Sequence, residues 1–174
     1  MDLSVPIPDS YWLLEGQLLA GEYPGSYEIV RARAKLELIL AAGIVTFVDL
    51  TEPSEPLTPY ADLLSELEHG CGSEFRYTRL SIRDGGVPAR ERMSEILATI
   101  HRELKNSRPV YLHCWGGIGR TGTVAGCWLV EQGLSSDEAL ERINVLRRRV
   151  PDRGMSSPET EEQRTFVRSW KRAP

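Results

Sequence analysis

His113-Cys114-Trp115-Gly116-Gly117-Ile118-Gly119-Arg120-Thr121-Gly122 stands between two apolar runs, Pro109 to His113 and Val124 to Val130. The first run reads as a buried strand and the second as part of a helix, so these residues form a glycine loop between them. Such a loop sets its backbone N–H groups at a helix N-terminus, where unpaired donors and the helix dipole hold an anion. Gly116, Gly117 and Gly119 are expected to let successive N–H groups turn inward as a nest. Arg120 adds a planar fork that matches two phosphate oxygens, a geometry lysine lacks. Cys114 sits where helix and cation favour a thiolate, with the hydroxyl of Thr121 close by in sequence. The chemistry this implies is hydrolysis of a phosphate ester through a cysteinyl-phosphate. Trp115, Gly116, Gly117, Ile118, Gly119 and Arg120 would line the phosphate.

The rest of the chain supplies the frame. Tyr11 to Ala20 reads as a hairpin turning at Glu15-Gly16, and Ser26 as the cap of a helix that runs to Ala42 and stops at Gly43. Ile44 to Leu50 is a continuous β-branched and aromatic run, the pattern of a strand buried on both faces. Thr51 to Pro59 reads as a loop, Tyr60 to Glu68 as a short helix and Phe75 to Ile82 as a strand. Arg83 to Pro88 is a tight loop, with Pro88 suited to the first turn of the next helix. Met93, Ile96, Leu97, Ile100 and Leu104 form the apolar stripe of that helix. Further helices are expected over Ser136 to Arg149 and Pro158 to Arg172, the last capped by Ser157.

Alternating strand and helix patterns predict an α/β fold, a small mostly parallel central sheet with helices on both faces, and one domain over 1–174. Ligands of such sheets lie beyond the carboxyl ends of the strands. The loops Thr51 to Pro59, Arg83 to Pro88 and Cys114 to Arg120 should therefore converge. Asp84 ends a strand on that side, and its glycine neighbours would let the loop close over substrate, which makes it the expected general acid. An Asp-Gly pair is also a common surface turn. Asp49 and Glu52 lie near another strand end and read as loop structure.

Composition narrows the class. The chain has 174 residues, 41% hydrophobic and 26% charged, which is globular rather than disordered. No apolar run approaches the ~18 residues of a membrane span, and the N-terminus lacks the regions of a secretory signal. Net charge −4 argues against a general nucleic-acid binder. Cys71, Cys114 and Cys127 are too few for a disulfide framework and suit a reducing, cytoplasmic setting. The expectation is a monomer with no membrane or nucleic-acid partner. No metal ligand set and no cofactor motif is visible. His69 and His101 read as surface residues and Cys127 as core. Cys71 and Arg76 have a superficially similar spacing, but no glycine cradle or buried strand accompanies them.

His113-Cys114-x-x-Gly117-x-x-Arg120-Thr121 resembles the signature of the cysteine-dependent protein tyrosine phosphatases. The short chain is similar to their dual-specificity branch. Asp84-Gly85-Gly86-Val87-Pro88 followed by the glycine loop looks like the kinase-associated phosphatase type. The resemblance is clear over about residues 75 to 150. It implies a phosphorylated protein as substrate, an acid at Asp84, a loop-supporting role for His113, and for Gln163 the orientation of the attacking water in the second step. Lysines that phosphoinositide-directed relatives carry in this loop are absent. Arg147-Arg148-Arg149, most simply a solvated helix end, could still supply charge at the rim. The alternatives are a phosphatase of a non-protein phosphate ester, a phosphotyrosine-binding pseudophosphatase, and a sulfurtransferase or arsenate reductase. The last two would not require Asp84.

Overall fold

Apolar side chains on both faces of short strands decide how the layers form. The computed structural model describes residues 4–71, 74–151 and 154–171. Strands β1 (Ser10–Leu14) and β2 (Leu18–Gly21) pair antiparallel. Strands β3 (Thr46–Asp49), β4 (Arg76–Arg79) and β5 (Val110–His113) run parallel to β2, in the order β1-β2-β5-β3-β4. Leu18, Ala20, Val48, Val110 and Leu112 face one core, and Leu19, Phe47 and Tyr111 face the other. Strands β2, β3 and β5 are buried throughout, as a sheet covered on both faces requires, while the edge strand β4 is polar and partly exposed.

The first core is closed by α3 (Arg90–Lys105), α4 (Gly119–Glu131), α5 (Ser136–Leu146) and α6 (Glu161–Ser169). The second is closed by α1 (Ile29–Ala41) and α2 (Ala61–Cys71). Gly43 and Gly133 follow α1 and α4 with φ of +90° and +102°, the left-handed stops that glycine permits. Cys127 lies fully buried in the core, and burial pushes its thiol well up.

Several helix ends differ from expectation because another side chain takes the capping role. Glu28, not Ser26, is the N-cap of α1; the Ser26 hydroxyl accepts a hydrogen bond from Glu28 N–H in a local turn one step earlier. Thr160, not Ser157, caps α6 and forms a reciprocal capping box with Gln163. Ser157 instead donates its hydroxyl to the carbonyl of Ile118, 2.7 Å away. Helix α3 begins after Ala89, so Pro88 precedes it rather than opening it. Beyond α5, Arg147–Arg149 tighten into a 3-10 turn. Arg147 is buried rather than solvated and donates to the carbonyl of Met155.

Strand register fixes where the loops start. Gly21 and Asp49 each sit opposite His113, and Arg79 opposite Asp49, so the parallel strands end along one edge. Phe47 stiffens the layer beneath that edge, with its ring 5.9 Å from Tyr60 and 6.0 Å from Tyr111. Phe47→Ala should cost about 3–5 kcal/mol of stability. The check is a lower denaturant midpoint at unchanged slope.

Candidate active site

The loop after β5 ends on a helix with no side-chain cap. Ile118 is the N-cap of α4, it makes no capping hydrogen bond, and the first turn carries no acidic residue. The first-turn N–H groups thus keep their positive end for a ligand. The three glycines of the loop have different duties. Gly117 alone takes positive φ, +69°, and a Cβ there would lie 2.4 Å from the carbonyl carbon of Gly21. A Cβ at Gly119 would lie 3.0 Å from the Gln163 amide and the Glu159 carboxylate, so this position needs a small residue. Gly116 has ordinary room for a side chain.

Arg120 is buried and ties three loops together. Its Nη1 and Nη2 donate to Glu55 Oε1 and Oε2 at 2.5 and 3.0 Å, a bidentate pair. Nη1 also donates to the carbonyl of Ile82 at 3.2 Å, and Nη2 lies 2.9 Å from Asp84 Oδ1. Burial opposes ionisation of Glu55, but the Arg120 hydrogen bonds outweigh it and hold the carboxyl below its ordinary range. One edge of the guanidinium is thus fixed by Glu55. The other edge, Nε and Nη2, is the one a phosphate could take by displacing Asp84.

A cavity of about 240 Å³ is lined by Asp84, Cys114, Trp115, Gly116, Ile118, Gly119, Arg120 and Glu159. Cys114 is buried at its base, while the Asp84 side chain is 68% exposed at the mouth. Thr121 Oγ1 is buried and finds no hydrogen-bond partner among the described residues. Gln163 is buried beneath the cavity; its Oε1 accepts from Glu159 and Thr160 N–H, and its Nε2 donates to the carbonyl of Gly86, each at 3.1 Å. Arg148 and Arg149 line a separate groove with Tyr11 and Trp12, away from this cavity. Cys71 ends α2 and Arg76 begins β4, the reverse of a strand-to-helix cradle; the Cys71 side chain lies outside the described residues.

Behind the loop, His113 is fully buried. Its Nδ1 lies 3.2 Å from the Cys114 carbonyl and its Nε2 lies 2.6 Å from Tyr60 Oη. A carbonyl can only accept, so Nδ1 carries the proton and Tyr60 donates to Nε2. Burial pushes the imidazole pKa below its ordinary 6.5, against the pull of Asp49 3.9 Å away. Asp49 is a buried hub rather than loop structure, and accepts hydrogen bonds from Thr51, Tyr77 and Arg79. Burial opposes its ionisation, and a charged His113 would favour it. With that ring neutral, the hydrogen bonds do the lowering. Sequence reading missed Glu55, Tyr60, Glu159 and the depth of Asp49. Glu55 lay in a loop expected to reach the site, but no spacing singled it out.

A family model described as "Polymorphic toxin system, DSP-PTPase phosphatase" matches residues 24–134, a span that holds Asp84 and the whole glycine loop. Human cyclin-dependent kinase inhibitor 3 is 37% identical over 68 residues, 38% of this chain and 32% of that protein. The chain spans half or less of the length of the first curated relatives it matches. The crystal structure of Tk-PTP in its active form superposes with a TM-score of 0.70 at 28% identity, covering 92% of this chain and 94% of that one. A kinase-associated phosphatase whose catalytic-site cysteine is replaced by serine superposes at 0.66 and 23% identity, covering 91% and 90%. That last likeness is one of fold.

The neutral His113 gives stability a definite pH dependence. Unfolded, the imidazole takes a proton near its ordinary pKa of 6.5; folded, it does so only at lower pH. Stability should fall as pH drops through that window, by up to about 1.4 kcal/mol per pH unit for one proton. Asp49 and Glu55 add a further loss at lower pH, as pH falls from their ordinary values of 3.8 and 4.5 through their depressed ones. Melting temperatures between about pH 8 and about pH 5 should fall, and His113→Asn, which keeps a donor for the Cys114 carbonyl, should flatten the upper part of that curve.

Proposed function

The chain belongs to the dual-specificity phosphatases of the protein tyrosine phosphatase superfamily, and on that footing we propose that it hydrolyses phosphotyrosine in protein substrates, with phosphoserine and phosphothreonine as further targets. The observation that carries this reading is a single cavity in which Cys114, Arg120 and Asp84 meet at the uncapped start of α4. Arriving phosphate takes the Nε/Nη2 edge of Arg120 and displaces Asp84, whose carboxylate takes up a proton on losing the guanidinium and turns, as a carboxylic acid, toward the leaving-group oxygen. Cys114 Sγ attacks phosphorus, the P–O ester bond breaks, and Asp84 gives the departing oxygen its proton. In the second step water attacks the cysteinyl-phosphate, Asp84 takes a proton from that water, and the S–P bond breaks to release inorganic phosphate. The buried Thr121 hydroxyl, without a hydrogen-bond partner among the described residues, is available to turn toward the sulfur and stabilise it as it leaves.

Charge favours a monophosphate ester. Trp115, Gly116, Gly117 and Ile118 supply no cation, Asp84 and Glu55 pair with the one arginine of the cavity, and Glu159 adds a second carboxylate to its lining. An inositol polyphosphate would meet two carboxylates, Asp84 and Glu159, with a single guanidinium that Glu55 already partly offsets. The absence of a membrane-spanning helix among the described residues fits a substrate met in solution, and the sparse cysteines favour a cytoplasmic setting. The span 1–174 is read as one catalytic domain because the loops after β4 and β5 and the segment before α6 line one cavity.

Hydrolysis of p-nitrophenyl phosphate without added metal tests the roles. Cys114→Ser should abolish turnover and Asp84→Ala should lower kcat by roughly 10²–10⁴-fold. Absence of wild-type turnover together with tight vanadate binding would replace the enzyme by a phosphate-binding module. Gln163 has both lone pairs of Oε1 and one Nε2 hydrogen engaged, which leaves one N–H to orient water. Gln163→Ala should slow both half-reactions by loosening the Asp84 loop, and dephosphorylation more. An unchanged burst-to-turnover ratio would remove the water-orienting role.

A further inference from the structure

Trp115 has a cavity on each side. One side closes the phosphate cavity; the other meets a depression of about 330 Å³ formed by Tyr23, Gly25 and Tyr27 after β2 and by Leu57 and Thr58 after β3. The packing of these loops is specific. The Tyr27 hydroxyl donates to the carbonyl of Pro56 at 3.0 Å, and Tyr23 N–H donates to the carbonyl of Trp115 at 2.7 Å. A Cβ at Gly25 would lie 2.5 Å from both the Thr58 carbonyl oxygen and the Tyr23 ring, so the two loops are pressed into contact there.

The surfaces that face outward are apolar and uncovered. Trp115 is 47% exposed and Tyr27 83%, and the next turn adds Ile29 at 63% and Val30 at 77%. No charged side chain lines the depression. The cations along α1 are already paired, Arg31 with Glu28, Arg33 with Glu66 and Lys35 with Glu22, so little is left to attract an anionic lipid surface. An apolar recess continuous with a phosphate cavity through one shared indole suits the side chain beside a phosphorylated residue. An extended peptide advances about 3.3 Å per residue, so a neighbour one or two positions away can reach across Trp115.

We infer that this depression is a specificity subsite, which rests on the phosphatase reading, and that it takes a large aliphatic or aromatic side chain flanking the phosphoresidue of a polypeptide substrate. Trp115 then packs against that side chain on one face while its backbone neighbours hold the phosphate.

The test uses phosphotyrosyl peptides that carry Phe, Leu or Ala at each of the flanking positions, with p-nitrophenyl phosphate as the small-substrate reference. Wild type should favour Phe or Leu over Ala at one position by about 10-fold or more in kcat/KM, chiefly through KM. Leu57→Asp and Tyr27→Ala alter opposite walls, so a folding defect in one leaves the other informative. Both should bring that ratio close to unity while p-nitrophenyl phosphate turnover stays at the wild-type level. Equal kcat/KM for all peptides in wild type, with normal p-nitrophenyl phosphate turnover, would overturn the subsite and leave the phosphatase intact. A preference that persists in both variants, or faster turnover of a monophosphorylated inositol lipid in vesicles than of any peptide, would also overturn it. Loss of wild-type turnover on every substrate would remove the phosphatase reading and the subsite with it.

Discussion

A buried guanidinium organises this molecule. Arg120 has left water, and a charge so placed costs several kcal/mol unless its donors are matched. Here a bidentate Glu55, the Ile82 carbonyl and Asp84 match them. Those partners come from the ends of β3 and β4, while Arg120 itself rides on α4. The requirement for partners therefore fixes three separate loops to one another. Glu55 has a second tie, accepting the N–H of Glu52 at 2.6 Å, so its own loop is closed on itself before it meets the arginine.

Beneath the cation a buried network around a neutral imidazole does the complementary work. His113, Tyr60 and Asp49 occupy the dry layer under the glycine loop, where a charged imidazole would be poorly tolerated. Tyr60 and the Cys114 carbonyl together select one tautomer, which leaves the ring a single orientation. The ordered sequence is then strand register, ring orientation, carbonyl orientation and finally the direction of the Cys114 side chain. Each stage is short and rigid, in keeping with a site carried on scaffold elements rather than on a free loop.

Much of this was legible in the sequence, for reasons that can be named. Ile44 to Leu50 and Pro109 to His113 announced buried parallel strands because helices on both faces demand mostly apolar residues on both sides of each strand. The glycine loop was legible because its strand and helix neighbours gave the cysteine and arginine a context. Helix starts were less so: Ser26, Ser157 and Thr160 are all competent caps, and only tertiary contact decides that Ser157 bonds Ile118 instead. Glu55 was invisible since an exposed-looking acid in a Pro-rich loop has no periodicity, and its partner lies 65 residues away. Arg147 was misread for the same reason, as its inward turn depends on a carbonyl eight residues on.

The close approach of Gly117 to Gly21 has a bearing on how portable the phosphate cradle is. The loop takes its shape by resting on the backbone of a neighbouring strand, at a distance that leaves no room for a methyl group. Its ten residues are therefore only half of the device, and the other half is a bare stretch of main chain encoded almost a hundred positions earlier. Grafted onto another scaffold, the decapeptide would keep its chemistry-bearing side chains but lose the surface that bends it. A transplant would have to carry the end of β2 along with it.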